Sequence, residues 1–159
     1  MKLSIRILSL TLLLILSGCA SEIGSFEVEG ESQPRFTFTS DHVGLLLVYR
    51  TPRKYLNQGM LFTEFDKHDP NTRRGMKNNP NMQWAIEGEH DASVPINYGS
   101  VPEGMKEISP ARPLAENTVY FVCTHIGRSA YSFAGRQFII RNGRTIELHG
   151  HIDENSVDN

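Results

Sequence analysis

The stretch Gln137-Phe138-Ile139-Ile140-Arg141-Asn142-Gly143-Arg144-Thr145-Ile146-Glu147-Leu148 decides the fold class. Asn-Gly tolerates positive φ at both central turn positions. The resulting two-residue link has a twist that matches paired strands. Residues 136–141 and 144–148 are therefore expected to form a hairpin near the C-terminus. Working back along the chain, Val119 to Thr124 is another dense apolar strand. Val94, Ile96 and Tyr98 alternate with other residues, as do Met82, Trp84 and Ile86, and both patterns fit half-buried strands. The run Gly44-Leu-Leu-Leu-Val-Tyr49 is apolar throughout, as a central strand would be, and Pro52 ends it because proline cannot donate to a ladder. Residues 35–39 place Phe36 and Phe38 on one face and Thr37 and Thr39 on the other. No segment carries a helical period. About eight short strands with turns between them predict an antiparallel β-sandwich or barrel.

A local motif narrows this to a sandwich. Leu114-Ala-Glu-Asn-Thr118-Val-Tyr120-Phe-Val122 opens an apolar strand with Leu, Thr and Tyr at offsets of zero, four and six. It resembles the tyrosine corner of fibronectin type III and related immunoglobulin-like domains. In those folds the tyrosine hydroxyl bonds back to upstream backbone and pins the corner between the sheets. The resemblance implies an immunoglobulin/fibronectin III-like sandwich, with Trp84 as its core indole.

The N-terminus supplies an address. Lys2 and Arg6 precede an apolar run from Ile7 to Leu16, and Leu16-Ser17-Gly18-Cys19 resembles a bacterial lipobox. Ten residues in a helix reach only ~15 Å, against a hydrocarbon core of ~30 Å. A spanning anchor is thus too short, and a plain secretory signal leaves Cys19 without a purpose. Residues 1–18 are expected to be removed and Cys19 to be acylated, fastening the protein to a lipid bilayer. Each buried methylene contributes ~0.8 kcal/mol, so two or three chains hold where one does not. Ala20 lacks the aspartate that marks inner-membrane retention, so the resemblance implies the outer membrane, facing the periplasm. Residues 19–33 read as a lipidated tether running into a first edge strand, 34–152 as the β-sandwich domain and 153–159 as an acidic flexible tail.

Removing Lys2 and Arg6 with the leader leaves 14 basic and 18 acidic side chains, a formal charge of −4. That balance excludes the concentrated basic footprint of a nucleic-acid binder. With Cys19 lipidated, Cys123 stands alone and reads as a small buried hydrophobe.

Chemistry-bearing residues are sparse. Gly127-Arg-Ser129-Ala-Tyr131 departs from the nucleophile elbow, because Tyr131 stands where the second glycine belongs and no helix follows. His149 and His151 flank Gly150, so on a strand they would share a face, and His125 or His90 could complete a metal site. Asp66, His68 and Asp69 cluster in a loop with no rigid scaffold. No catalytic residue and no cofactor is assigned. Residues 66–81 form a polar loop of about sixteen residues, longer than connections usually run without a function. Two basic groups, Arg50, Arg53 and Lys54, then Arg73, Arg74 and Lys77, are the candidate partner contacts.

The whole arrangement is similar to the type VI secretion immunity lipoproteins of the bacterial periplasm. The likeness is carried by the lipobox, the early strands and Trp84. It continues through Tyr98-Gly99-Ser-Val-Pro102-Glu-Gly104, Ala111-Arg-Pro113-Leu114 leading into Thr118-Val-Tyr120, and the closing strand pair. It spans the signal and residues 94–146. The family's paired cysteines are not matched, since Cys123 has no partner. The resemblance implies a tethered binder that covers a toxin surface, with loops at one end of the sandwich or a strand edge as its contact. Two other classes stand beside it: an accessory envelope lipoprotein, and a metal-dependent enzyme centred on His149 and His151.

Overall fold

The computed structural model describes residues 25–57, 79–126 and 133–158. Among them run the strands β1 (Phe26–Gly30), β2 (Pro34–Phe38), β3 (His42–Arg50), β4 (Met82–Asp91), β5 (Ile96–Asn97), β6 (Met105–Ser109), β7 (Val119–Ile126), β8 (Phe133–Arg141) and β9 (Arg144–Leu148). There is no α-helix among the described residues, only 3-10 turns at Arg53–Tyr55 and Glu154–Ser156. One antiparallel sheet has the order β1-β2-β5 and the other β6-β4-β3-β7-β8-β9. The described residues are thus all-β, in two antiparallel sheets consistent with a β-sandwich.

Alternation along each strand builds the core between the sheets. Phe26, Val28, Phe36 and Phe38 from the small sheet meet Leu46, Val48, Trp84, Ile86, Tyr120, Val122, Phe138 and Ile140 from the large one. Phe36 meets Phe138 edge-on at 6.4 Å, and Tyr120 stacks on Phe138 at 5.4 Å. The indole of Trp84 is fully buried, crosses Tyr98 at 5.3 Å and donates from Nε1 to Glu107 (3.1 Å). The run Leu46 to Tyr49 in β3 is buried on both faces, as its unbroken apolar composition predicts. Leu46 and Val48 point inward, while Leu47 and Tyr49 pack with Met82 and Ala85 on the outer face of the large sheet.

The Asn142-Gly143 hairpin forms as expected, with Asn142 at φ 53° and Gly143 at φ 69°. In the segment that resembles a tyrosine corner, the Ala115 N–H donates to the Tyr120 hydroxyl at 2.7 Å. Tyr120→Phe would leave that N–H in a part-buried site without its acceptor. A loss of about 1–2 kcal/mol is expected, measured as a lower urea midpoint at unchanged slope.

Three expectations need correction. Val94 is exposed and lies outside a strand, leaving β5 only two residues long. Pro95 has no N–H to give a ladder, and the Asp91 carboxylate instead accepts the Ser93 N–H (2.9 Å), which turns the chain. The edge strand expected at the end of the tether is β1, and its Phe26 and Val28 are core residues, so the folded body starts before residue 34 and not at it.

The third correction concerns 153–158, which is packed down. Ile152 and Val157 are buried with Leu56, Val119 and Ile139 in a second apolar cluster. Arg50, Arg53 and Arg141 donate to the carbonyls of Asp158, Glu154 and Ser156 at 2.9, 3.0 and 2.9 Å. Asn57 grips the Ile152 backbone from both sides, accepting its N–H (2.7 Å) and donating to its carbonyl (3.1 Å). Acidic side chains on this segment face water while its two aliphatic ones turn inward, which composition alone does not reveal.

Candidate functional site

A groove of about 710 Å³ opens where the edges of the two sheets meet, between β1 and the β8–β9 pair. Its origin is local. β9 stops at Leu148 opposite Gln137, whereas β8 begins four residues earlier, at Phe133. Gly150, at φ 85°, turns the chain away from the strand direction. Only glycine takes that conformation without strain. Beyond Leu148 the large sheet therefore loses its outermost strand, and β8 becomes the edge.

Hydrogen-bond phase shows what that edge offers. In β8 the odd-numbered residues pair toward β9, starting from the tight pair Arg141–Arg144. Gly135, the odd residue next below Gln137, therefore turns its backbone N–H and C=O toward the groove. The carbonyl is covered by its neighbour, because Arg136 Nη1 donates to it at 3.0 Å. The opposite wall is β1. Its odd residues bond to β2, as the Thr39 N–H to Ser25 carbonyl bond (2.9 Å) shows, so Phe26 and Val28 face the groove with their backbone.

One carboxylate joins the two walls. Glu147 accepts the Val28 N–H at 2.9 Å and meets Arg136 Nε at 3.1 Å, with His149 Nε2 3.8 Å away. The Arg136 guanidinium also lies 5.6 Å over the Phe26 ring. Glu147 is largely buried, so this pairing is better shielded from solvent than a surface ion pair. Further along, Thr145 donates to the Glu31 carbonyl (2.6 Å) and Glu31 bridges to Arg144, which closes the sheets below the groove. The groove floor is Gly135. A Cβ there would run into the Phe121 ring, so the ring occupies the space a side chain would take.

Sequence-predicted sites are placed as follows. Arg53 and Arg50 hold the C-terminal segment, and the Lys54 ammonium lies 4.2 Å over the Tyr55 ring. Cys19, Arg73, Arg74, Lys77, Ser129 and the Asp66, His68, Asp69 cluster lie outside the described residues. His149 and His151 do not share a strand face, because β9 ends before them and Gly150 breaks the alternation. His90 is buried with Nε2 2.9 Å from the Val94 carbonyl, and the ring of His125 lies against Gly44 on β3. No three His, Cys, Asp or Glu side chains among the described residues are placed to hold a metal ion. Among the same residues no helix is long and apolar enough to cross a membrane.

Cys123 lies within the large sheet, 1% exposed, and burial pushes its thiol well above the ordinary range. Burial does the same to the Tyr98 and Tyr49 hydroxyls. These groups keep their protons in the folded chain after the unfolded chain has lost them. The associated stability is complete below the unfolded value, ~8.5 for cysteine, and falls as pH rises beyond it. Between pH 8.5 and 10 the wild-type urea midpoint is expected to drop, and Cys123→Ala to flatten that slope.

The groove was missed from sequence because an open edge is a property of paired strands. Two glycines carried the available signal: Gly135 inside an apolar strand, which marks close approach, and Gly150 just past the hairpin. No family model matches this chain, and neither a curated protein nor a solved structure matches it.

Proposed function

We propose that this chain is a lipid-anchored binding protein of the bacterial envelope, an immunity protein that neutralises a toxin delivered by type VI secretion. The single observation that carries the reading is the groove at the open end of β8. It offers main chain and an aromatic floor, while the Arg136 and Glu147 side chains between its walls are already paired to each other. Such a surface is suited to recognition of another protein. The lipobox at Cys19 supports confinement to the membrane face where such a toxin arrives, which raises the binder's effective concentration without any added contact.

The same reading includes an immunoglobulin/fibronectin III-like topology. β1, β2 and β5 correspond to strands A, B and E, and β4, β3, β7 and β8 to C′, C, F and G. β6 and β9 then extend the second sheet at its two edges. Tyr120 stands near the start of strand F, where the corner tyrosine belongs. In this reading the lipid anchor places the sandwich on the periplasmic face of the outer membrane.

The test is a competition assay with fatty-acid labelling. A strain lacking this chain should be killed by siblings that fire an active type VI system, and the full-length chain should restore survival. Cys19→Ser should lose the acyl label and most of the protection. Equal survival with and without the chain would overturn immunity and leave the accessory role.

A further inference from the structure

We infer that the open stretch of β8 receives an extended strand of the partner protein, added in line with β9; this deepens the protein-binding reading above and rests on it. Three observations converge. The β8–β9 ladder ends at Gln137–Leu148, and the next β8 residue in hydrogen-bonding phase, Gly135, points its N–H into the groove. Across the groove, the backbone of Phe26 faces the same gap from β1, beside the Val28 N–H that Glu147 already holds. A strand laid there would therefore lie between two edges, bonding β8 on one side and passing β1 on the other. β9 itself does not continue into the gap, because Gly150 at φ 85° turns the chain away.

The chemistry of the occupant follows from the walls. Main-chain pairing requires an extended backbone with free N–H groups, so proline and N-alkylated positions are rejected. The residue opposite Gly135 meets no side chain from β8 and finds the Phe121 ring beside it, so an apolar side chain fits there. Its neighbours in the added strand point to the other face, where Arg136 and Glu147 lie, and are polar. The partner segment is accordingly short, extended and alternating, with an apolar residue at its centre.

The probe is acetyl-Lys-Thr-Val-Thr-Lys-amide, titrated into the 15N-labelled full chain lacking only its leader and Cys19. Saturable shifts are expected at Gly135 and Val28, with hydrogen exchange at the Gly135 amide slowed at least fivefold at saturation. The same peptide N-methylated at its three central residues should leave both unchanged. An unprotected Gly135 amide at 10 mM peptide, or equal effects from the methylated peptide, overturns the proposal. A photo-crosslinking residue at position 149, whose side chain is 80% exposed, separates this proposal from the function it deepens. Once survival in the competition assay shows that a toxin is neutralised, that toxin should crosslink from position 149. Crosslinking from position 94 alone would sink the strand addition and leave immunity standing. Failure of the survival assay, with Gly135 still protected by the peptide, would sink immunity and leave the strand site.

Discussion

Trp84→Ala is expected to lower stability by about 3–5 kcal/mol, the range for deleting a buried large aromatic side chain. That is a large part of the ~5–15 kcal/mol that holds a domain of this size together, so the variant will be marginal near 37 °C. Three things are lost together. The indole has no exposed surface and lies at the centre of the core between the sheets. It makes the edge contact that orients Tyr98, whose hydroxyl donates to the Arg112 carbonyl at 2.7 Å, with the Gln83 carbonyl 3.0 Å away. Its Nε1 also satisfies Glu107 on the edge strand β6 (3.1 Å). Trp84→Phe keeps most of the volume and forfeits the bond to Glu107, so it should cost about half as much. Urea denaturation of both variants checks the order. Equal midpoints for Trp84→Ala and wild type would contradict the assigned core.

Ending the chain after Gly150 should cost about 3 kcal/mol and expose a patch that binds a hydrophobic dye. The argument starts from two side chains. Ile152 and Val157 are 6% and 8% exposed, and each such burial contributes ~1.5–3 kcal/mol, less the entropy of ordering the segment. Their removal uncovers Leu56, Val119 and Ile139. It also takes away the carbonyls that Arg50, Arg53 and Arg141 reach. A single substitution, Ile152→Ala, should cost about 2 kcal/mol. Melting temperature and dye fluorescence of the truncated chain check this, and an unchanged melting curve would mean the segment contributes nothing to the folded body.

Much of the strand map was legible in the sequence because period-two alternation records which face of a sheet is buried. Phe36 and Phe38 read correctly, as did the Asn142-Gly143 turn and the doubly buried β3, since each depends only on neighbours along the chain. The failures have separate causes. Val94 continued an apolar alternation, yet an Asp91 side-chain bond and Pro95 ended the strand. The C-terminal segment looked like an acidic tail because its charges outnumber its two aliphatic residues, and no local rule says that Leu56 and Val119 wait to receive them. His149 and His151 matched a metal-ligand spacing that holds only if the strand continues, and Gly150 stops it.

The candidate site was the least legible part. Sequence determined the residue types, the strand alternation and the position of the hairpin, because those are set by φ preferences and side-chain period. The proposed leader and lipidated Cys19 rest on residue type alone. Tertiary structure decided which strands lie at edges, where β8 outlasts β9, and that Glu147 ties β1 to Arg136. The last of these depends on residues more than a hundred positions apart meeting across two sheets, as Val28 and Glu147 do. Local preferences along a chain carry no information about such a meeting until the core closes.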